Sequence, residues 1–156
     1  HTFIACSAES ELALREAAKE IEELAQVKEQ KILFEFPKKE IELKLDDKKF
    51  SAAIVNLLHN AVRFSPEKTK IILGVVEKND AALCWVKDEG IGIPEAELEK
   101  IFDKFYQVEA HTVRRYGGMG IGLTIAEGLI EAQGGRIWAE SKGEGQGTTF
   151  KVLLPI

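Results

Sequence analysis

The stretch from Lys70 to Asp88, KIILGVVEKNDAALCWVKD, limits the possible folds more than any other part of the chain. Two runs rich in β-forming residues flank Lys78, Asn79 and Asp80, and such residues between strand-like runs are typical of a tight turn. The stretch therefore predicts a β-hairpin, whose two strands run antiparallel.

Further strands are predicted on both sides of this hairpin. KILFEF and EIELKL, separated around Pro37, have the composition of short strands. GRIWAES and GTTFKVLLP, joined through KGEGQG, add two more near the end of the chain. The strands thus come in neighbouring pairs, as antiparallel hairpins do.

Helices are predicted between these strands. Apolar residues recur at helical spacing over residues 10 to about 27, which predicts an amphipathic helix. Asp46 or Asp47 supplies the N-cap of a second helix that reaches about Phe64, and a third helix begins near Gly120. The sequence therefore predicts an α/β two-layer sandwich, in which a mixed β-sheet has helices packed on one face and leaves the other open to solvent or to a neighbour.

Composition bounds the size and the partners of the protein. The chain has 156 residues, 45% of them hydrophobic, which is enough for one domain with a substantial core. A net charge of -5 argues against nucleic acid or an anionic membrane as the main partner. No apolar run approaches the roughly 20 residues of a membrane span, and the sequence contains no recognisable signal peptide.

Two further features suggest where the protein works and how much of it is present. Cys6 and Cys84 lack the spacing of a metal site, which indicates a reducing cytosol. The chain starts HTFIACS, without a methionine, so we expect it to be a piece of a longer protein.

The second predicted helix carries unusual polar residues on one side. At about 100° per residue, Asn56, His59, Asn60 and Arg63 fall within a narrow sector opposite the apolar residues. Asparagine is a mediocre helix former, so its presence suggests a role beyond solvation. One interpretation is a solvated face; the other is a carbonyl oxygen aimed at a cation such as Mg²⁺, with a guanidinium for phosphate oxygens.

Two glycine-containing segments each have a structural and a functional interpretation. VKDEGIGIP, with Asp88, Gly90 and Gly92, is either a plain turn or a buried carboxylate that accepts a hydrogen bond from an amino group such as that of adenine. RRYGGMGIGLTIA, from Arg114 to Ala126, is either a flexible loop or a helix start that approaches a phosphate closely. These two segments alone do not decide between the alternatives.

Five segments occur in the order NLLHNAVRFSP, DEGIGIP, IFDKFYQ, GGMGIGL and GQGTTF. They resemble the N, G1, F, G2 and G3 boxes of the catalytic ATP-binding domain of sensor histidine kinases. Each box alone is a weak signal, whereas five in order are highly specific, and the resemblance covers residues 10 to 156. It implies the Bergerat fold, shared more distantly with topoisomerase, chaperone and mismatch-repair ATPases, and a flexible ATP lid.

The resemblance also implies roles for individual residues. Asn60 matches the asparagine that ligates Mg²⁺, Arg63 the basic residue that contacts phosphate, and Asp88 the carboxylate that binds the adenine amino group. Asn56, Asn60 and Arg63 form the expected catalytic set. The residues expected to bind the nucleotide and its metal are Asn60, Arg63, Phe64, Asp88, Gly92, Ile93, Tyr106, Arg114, Arg115, Gly118, Met119, Gly120, Ile121, Gly122, Leu123 and Thr148.

The remaining box residues are expected to act through structure. Phe102, Phe105 and Tyr106 match the F box, which hinges and packs the lid, and ordinary hydrophobic packing is most of their role. Gly145 and Gly147 of the G3 box are expected mainly to shape a turn.

The chain departs from the family pattern at two positions. Gln107 stands where arginine is frequent, so Arg114 or Arg115 becomes the candidate for lid contact with the phosphates, the alternative being a solvated charge pair. Met119 stands where threonine is frequent. Both departures bear on affinity and lid geometry, and neither removes the nucleotide site.

The residue at position 56 separates two types of reaction. A glutamate commonly occupies this place in the ATP-hydrolysing relatives and activates water, which the amide of Asn56 cannot do. Asn56 therefore favours phosphoryl transfer to an external nucleophile. His1, His59 and His111 all lack the H-E-x-x-x-P setting of the family's acceptor histidine, so we expect that histidine to lie outside this chain, with His59 at the rim of the site and His111 in the lid.

The implied function is that of an ATP-dependent protein histidine kinase, a transferase of two-component signalling whose parent kinase is a phosphoprotein. ATP and Mg²⁺ are the expected cofactors. The expected partners are the helical dimerisation and phosphoacceptor domain of the same kinase and a response regulator; the domain itself is expected in the cytoplasm without contact to nucleic acid or membrane. Two other classes stay open: a serine kinase and binding module of the anti-sigma-factor type, and a nucleotide-sensing interaction module with weak catalysis.

Overall fold

The structure, a computed structural model, describes residues 2–5, 8–103 and 122–156. The strands in these ranges are β1 (Thr2–Ala5), β2 (Lys31–Glu35), β3 (Ile41–Lys44), β4 (Lys70–Lys78), β5 (Ala81–Lys87), β6 (Arg136–Glu140) and β7 (Thr149–Pro155). The helices are α1 (Ala8–Ala17), α2 (Lys19–Val27), α3 (Asp47–Phe64) and α4 (Gly122–Glu131), with short 3₁₀ helices at Glu95–Glu97 and Lys100–Phe102.

The main sheet has five strands in the order β2-β4-β5-β7-β6, and β1 pairs with β3 in a separate two-stranded sheet. Every pair in the main sheet is antiparallel except β2 with β4, which is parallel. The predicted mixed sheet is therefore confirmed. The expectation that all strands come in hairpins is wrong for β2 and β3, because the chain crosses from β2 to β4 through α3, and a crossover of this kind joins parallel strands.

The predicted central hairpin is confirmed. Strands β4 and β5 pair antiparallel with Lys78 opposite Ala81, so the turn consists of Asn79 and Asp80 alone. Both turn residues adopt left-handed angles, with φ of 49° and 60°. Asparagine and aspartate tolerate this conformation better than most residues, which explains their presence in a two-residue hairpin turn.

Helix α3 has the predicted bounds and the predicted two sides. Asp46 is its N-cap: one side-chain oxygen accepts hydrogen bonds from the backbone N–H groups of Lys48 and Lys49, both at 3.1 Å. The polar residues predicted to share a side are all half-buried. The buried residues of the helix are Phe50, Ala53, Ile54, Leu57, Leu58, Ala61 and Val62.

The first predicted helix is divided into two, α1 and α2, which meet at Ala18. The hydrogen-bond ladder continues across the division, since Ala18 N–H donates to the Leu14 carbonyl and Glu22 N–H to that of Ala18, both at 2.9 Å. Leu14, Ala18, Ile21 and Ala25 are all buried. The apolar spacing therefore predicts these four buried residues, whereas Ala17 and Leu24, which share the spacing, are exposed. The spacing also gives no sign of the change in backbone angles at Ala18.

The core lies between the sheet and the helices. On the covered face of the two central strands, Cys84 and Val86 of β5 and Val152 of β7 are each at most 1% exposed. On the other face Trp85 and Trp138 both lie opposite Lys151 in register, and all three are half-buried. The two-layer architecture with helices on one face is therefore confirmed. No helix in the described parts of the chain is both long and apolar enough to span a membrane.

Candidate nucleotide-binding site

Asp88, the first residue after β5, is a buried carboxylate held by backbone groups. The residue is only 5% exposed, and its backbone N–H donates to the Thr148 carbonyl at 2.9 Å. Its Oδ1 accepts hydrogen bonds from Gly90 N–H at 2.8 Å and from Thr148 N–H at 3.1 Å. Within the described ranges no residue bonds to Oδ2, so this oxygen can accept a donor from a ligand.

The environment of Asp88 raises the pKa of its carboxyl toward neutral pH. Burial raises the pKa of the carboxyl to about 6, and the hydrogen bonds from Gly90 and Thr148 oppose part of that rise. The two backbone donors thus offset the desolvation of the carboxylate incompletely. A further N–H donor at this position, such as the exocyclic amino group of adenine, would stabilise the charged form.

The loop after Asp88 is bonded along its length to the loop that precedes β7. Gly145 N–H donates to the Ile91 carbonyl at 2.7 Å, and Gly147 N–H donates to the Gly90 carbonyl at 3.1 Å. These two segments correspond to the G1 and G3 boxes. The structure therefore brings them together as one unit, although 50 or so residues of chain separate them.

Two glycines permit this close approach. Gly147 has a φ of +74°, and a Cβ atom on it would overlap the carbonyl oxygen of Asp88. Gly92 has the same φ of +74°, and its Cβ would overlap the carbonyl oxygen of Gly143. The turn-shaping role expected of Gly145 and Gly147 agrees with their left-handed angles, and Gly147 in addition supports Asp88.

Ser141 joins the same two loops and was not identified from the sequence. Its hydroxyl accepts a hydrogen bond from Ile93 N–H at 3.0 Å and donates to the Gly147 carbonyl at 2.7 Å. The only sequence signal is a serine between a strand and a glycine-rich turn, where side-chain bonds to backbone are common. Ser141 therefore fixes the place of Ile93 relative to the G3 loop.

The end of α3 contacts the Asp88 loop directly. Ile91 N–H donates to the carbonyl of Phe64, the last residue of α3, at 3.2 Å. Gly90 lies so close that a Cβ atom on it would stand 2.6 Å from the same carbonyl oxygen. Phe64 and Asp88, which the sequence assigned to the adenine region, are thus brought to the same place.

The polar side of α3 faces the start of α4. Asn56 Nδ2 donates to the Ala52 carbonyl at 3.0 Å, which fixes the orientation of the amide. Asn56 Oδ1 then lies 3.4 Å from where a Cβ atom on Gly122, the first residue of α4, would stand. Asn60 and Arg63 follow on the same side of α3, toward its C-terminal end. The expected catalytic residues therefore lie between the start of α4 and the Asp88 loop.

His59 lies at the border of this polar side. It is half-buried, and both burial and the nearby charge of Arg63 lower its pKa below the usual 6.5. Both effects favour the uncharged imidazole. Its partial exposure agrees with the expected position at the rim of the site.

The F box contacts the core and α4. Phe102 is buried and stacks edge-on against Phe150, with ring centroids 6.1 Å apart. Thr124 Oγ1 in the first turn of α4 donates to the Phe102 carbonyl at 2.7 Å, and Leu123 packs against the core from the same turn. The packing role expected of Phe102 is thus confirmed.

Twelve of the residues singled out from the sequence lie outside the described residues. They include most of the G2 box and the expected lid. They are His1, Cys6, Phe105, Tyr106, Gln107, His111, Arg114, Arg115, Gly118, Met119, Gly120 and Ile121.

The fold and the site together define an ATP-binding α/β domain. Residues 45–156 match the family described as histidine kinase-, DNA gyrase B- and HSP90-like ATPases, and the chain belongs to this family.

Among curated proteins, the chain is similar to sensor histidine kinase WalK of Bacillus subtilis, with 38% identity over 139 residues. This match covers 86% of the chain and 23% of WalK. It is also 43% identical over 110 residues to the circadian input-output histidine kinase CikA of Synechococcus elongatus, covering 70% of the chain and 14% of CikA. The chain thus spans less than a quarter of the length of these relatives.

Among solved structures, the fold is similar to the nucleotide-free catalytic domain of histidine kinase ThkA. The TM-score is 0.78 at 26% identity, and the match covers 99% of this chain and 97% of that domain. The homologous domain is therefore matched almost from end to end, in agreement with the resemblance inferred from the five boxes.

The close approach of Gly147 to Asp88 leads to a testable prediction. Gly145→Ala should lower the free energy of unfolding by about 1 to 2 kcal/mol, because alanine disfavours a left-handed φ. Gly147→Ala should lower it by at least about 1 kcal/mol more, because its Cβ also meets rigid backbone at Asp88. Urea unfolding of the two variants measures the difference. Equal losses would show that the packing of Gly147 against Asp88 contributes nothing.

Proposed function

We propose that residues 1–156 form one catalytic ATP-binding domain of a sensor histidine kinase. The domain binds Mg-ATP and donates the γ-phosphoryl group to a histidine on a separate helical dimerisation domain of the same kinase. The observation that carries this proposal is the buried carboxylate of Asp88, held by Gly90 and Thr148 beside the end of the amide-bearing helix α3.

Adenine recognition rests on Asp88 and the loops around it. The carboxylate has one oxygen occupied by backbone donors, and the other accepts the amino group of adenine. Gly92 and Ile93 border this position, Phe64 provides an aromatic ring, and Thr148 supports the carboxylate through its N–H. Guanine carries a carbonyl where adenine carries the amino group, so this arrangement selects adenine.

Metal and phosphate recognition rests on the polar side of α3 and on the start of α4. The side-chain carbonyl of Asn60 is a hard oxygen donor of the kind that Mg²⁺ prefers, and Mg²⁺ usually completes its shell with phosphate oxygens and water. Arg63 lies one turn further on and provides a guanidinium for phosphate oxygens. When bound, the metal neutralises part of the phosphate charge. The start of α4 at Gly122 also favours the phosphates, because the N-terminal end of a helix dipole is positive.

The type of reaction follows from Asn56. Its amide nitrogen is bonded to the Ala52 carbonyl, and an amide has no basicity with which to activate water. Phosphoryl transfer requires mainly positioning and charge neutralisation, which this face of α3 provides. Asn56 therefore supports transfer to an external histidine over hydrolysis.

The partners follow from the kinases that the chain resembles. A dimerisation and phosphoacceptor domain supplies the histidine, and a response regulator then receives the phosphoryl group. A second solved structure shows histidine kinase ThkA in complex with the response regulator protein TrrA. The matched chain of that structure has the fold of this chain, with a TM-score of 0.77 at 24% identity. We place the domain in the cytoplasm. The relatives named above are all histidine kinases, which disfavours the alternative of an anti-sigma-factor-type module.

Transfer to a supplied histidine tests the proposed function. The domain is incubated with Mg²⁺, γ-labelled ATP and a separately expressed phosphoacceptor domain of a sensor histidine kinase. We expect label on that domain that is stable in base and lost in acid, and no label when its acceptor histidine is replaced by glutamine. Acid-stable label on serine, or release of phosphate alone, would contradict the proposal.

Asn60→Asp tests the metal ligand. The added charge disturbs the balance between the cation and the phosphates, so affinity for Mg-ATP should change by about tenfold or more while affinity for adenosine changes little. Asn79→Asp, in the remote hairpin turn, is the matched control and should leave both affinities unchanged. Calorimetric titration with each ligand measures the two affinities. Equal changes for Mg-ATP and adenosine would contradict the assignment of Asn60 as a metal ligand.

Asp88 makes adenosine binding dependent on pH. The carboxylate form accepts the amino group, and its pKa is about 6, so affinity should fall as the pH falls through 6. Adenosine should bind about tenfold more weakly at pH 5 than at pH 8, because about one carboxyl in ten is then ionised. Asp88→Asn should bind more weakly at pH 8 and show no such titration. If the adenosine affinity of the unaltered chain did not change with pH, the assignment of Asp88 to adenine recognition would be wrong.

A further inference from the structure

The C-terminal end of α3 is fixed by two side chains from outside the nucleotide site. A helix leaves its last four carbonyls without partners inside the helix, and many helices solve this with a glycine in the left-handed conformation. Helix α3 ends differently: Ser65, its C-cap, is extended with φ of -101°, and Pro66 follows. The partners of these carbonyls therefore come from another part of the chain.

Lys28 provides the first set of partners. Its Nζ donates to the carbonyls of Val62 at 2.7 Å and Ser65 at 2.6 Å, and more weakly to that of Arg63 at 3.4 Å. A positive charge at this end is also favoured by the helix dipole. One ammonium group thus bonds to three carbonyls around the end of α3.

Gln30 provides the second set. It is only 5% exposed, and the two hydrogens of its Nε2 are shared among the carbonyls of Val62 at 3.2 Å, Ser65 at 3.0 Å and Pro66 at 3.2 Å. Val62 and Ser65 are therefore held by both side chains. We call Lys28 and Gln30 together the helix clamp.

The backbone around the clamp is shaped to present both side chains. Glu29, between them, has a left-handed φ of 55°, which is uncommon for a residue other than glycine. Lys68, also left-handed with a φ of 64°, donates its N–H to the Lys28 carbonyl at 3.0 Å. The turn between α2 and β2 is thus bonded to the chain that follows α3.

The last turn of α3 carries site residues on its other side. Arg63 and Phe64 belong to this turn, and the Phe64 carbonyl accepts the N–H of Ile91 in the Asp88 loop. The clamp holds the carbonyls on either side of Phe64. A shift of this helix end would therefore move Arg63, which is proposed to contact phosphate, and Phe64, which is proposed to border adenine. It would also move the loop that carries Asp88.

We propose that Lys28 and Gln30 are positioning residues of the nucleotide site, which act by fixing the end of α3 and, through the Phe64 carbonyl, the Asp88 loop. The nucleotide part of this inference rests on the proposed function. The structural part, a coupling between Lys28 and Ile91, does not depend on it.

The first test is made without nucleotide and uses amide hydrogen exchange. Lys28→Met keeps the length of the side chain but removes its donors and charge, and should speed exchange of the Ile91 amide by about tenfold. Amides of β7, an inner strand between β5 and β6, should exchange as before. Lys19→Met, which alters an exposed lysine on α2, is the matched control and should change neither. Equal acceleration at Ile91 and in β7 would mean that Lys28 serves stability alone and would overturn the proposal.

The second test measures affinity in the folded protein. Lys28→Met should weaken Mg-ATP binding by about tenfold, and Lys28→Arg, which keeps charge and donors, should restore most of it. Gln30→Met provides an independent variant, with Gln26→Met on the exposed side of α2 as its control. Unchanged affinity in both clamp variants would overturn the positioning role. If the unaltered chain failed to bind Mg-ATP, the proposed function would fail, whereas the Ile91 exchange would still decide whether the clamp positions the loop.

Discussion

Burial of one side of α3 is the constraint on which the rest of the structure depends. Seven residues of this helix are buried, and truncating one large side chain among them would cost about 2 to 5 kcal/mol. A whole domain is stable by only about 5 to 15 kcal/mol, so the helix cannot rotate or slide without loss of the fold. The opposite side, with Asn56, Asn60 and Arg63, is therefore presented in a fixed direction. Rigid support of this kind is what metal and phosphate recognition require.

The Asp88 loop shows how the domain tolerates an unfavourable group. Burial of a carboxylate costs free energy unless hydrogen bonds offset it. Here backbone N–H groups from two distant segments supply those bonds, and the approach of the segments requires a glycine at position 147. The pKa of about 6 shows that the offset is partial. A ligand that donates to this carboxylate would thus gain from a site already arranged to accept it.

The sequence predicted the elements whose pattern is local. The central hairpin, the helix cap at Asp46 or Asp47 and the two-sided α3 all follow from residues within one turn or one helix, and each is confirmed. The structure narrows the turn to Asn79 and Asp80 and the cap to Asp46. The five boxes in order identified the family, because their order along the chain is specific even though each box is short.

Contacts between distant segments could not be predicted in this way. The parallel pairing of β2 with β4 depends on the path of the chain through α3, and strand composition carries no information about it. Ser141, Lys28 and Gln30 act through hydrogen bonds to backbone carbonyls and N–H groups, which any residue type possesses. A sequence pattern cannot specify such partners, because backbone acceptors have no signature in the sequence.

The two tryptophans of the chain have a spectroscopic consequence. Trp85 and Trp138 flank Lys151 on the sheet face that the helices leave uncovered, and Trp138 Nε1 also donates to Glu140 at 3.1 Å. Asp88 and the polar side of α3 belong to the other side of the sheet. Intrinsic fluorescence of this domain therefore reports the integrity of the strands and whatever contacts their open face. Occupancy of the site must be followed with a probe on α3, on α4 or on the ligand itself.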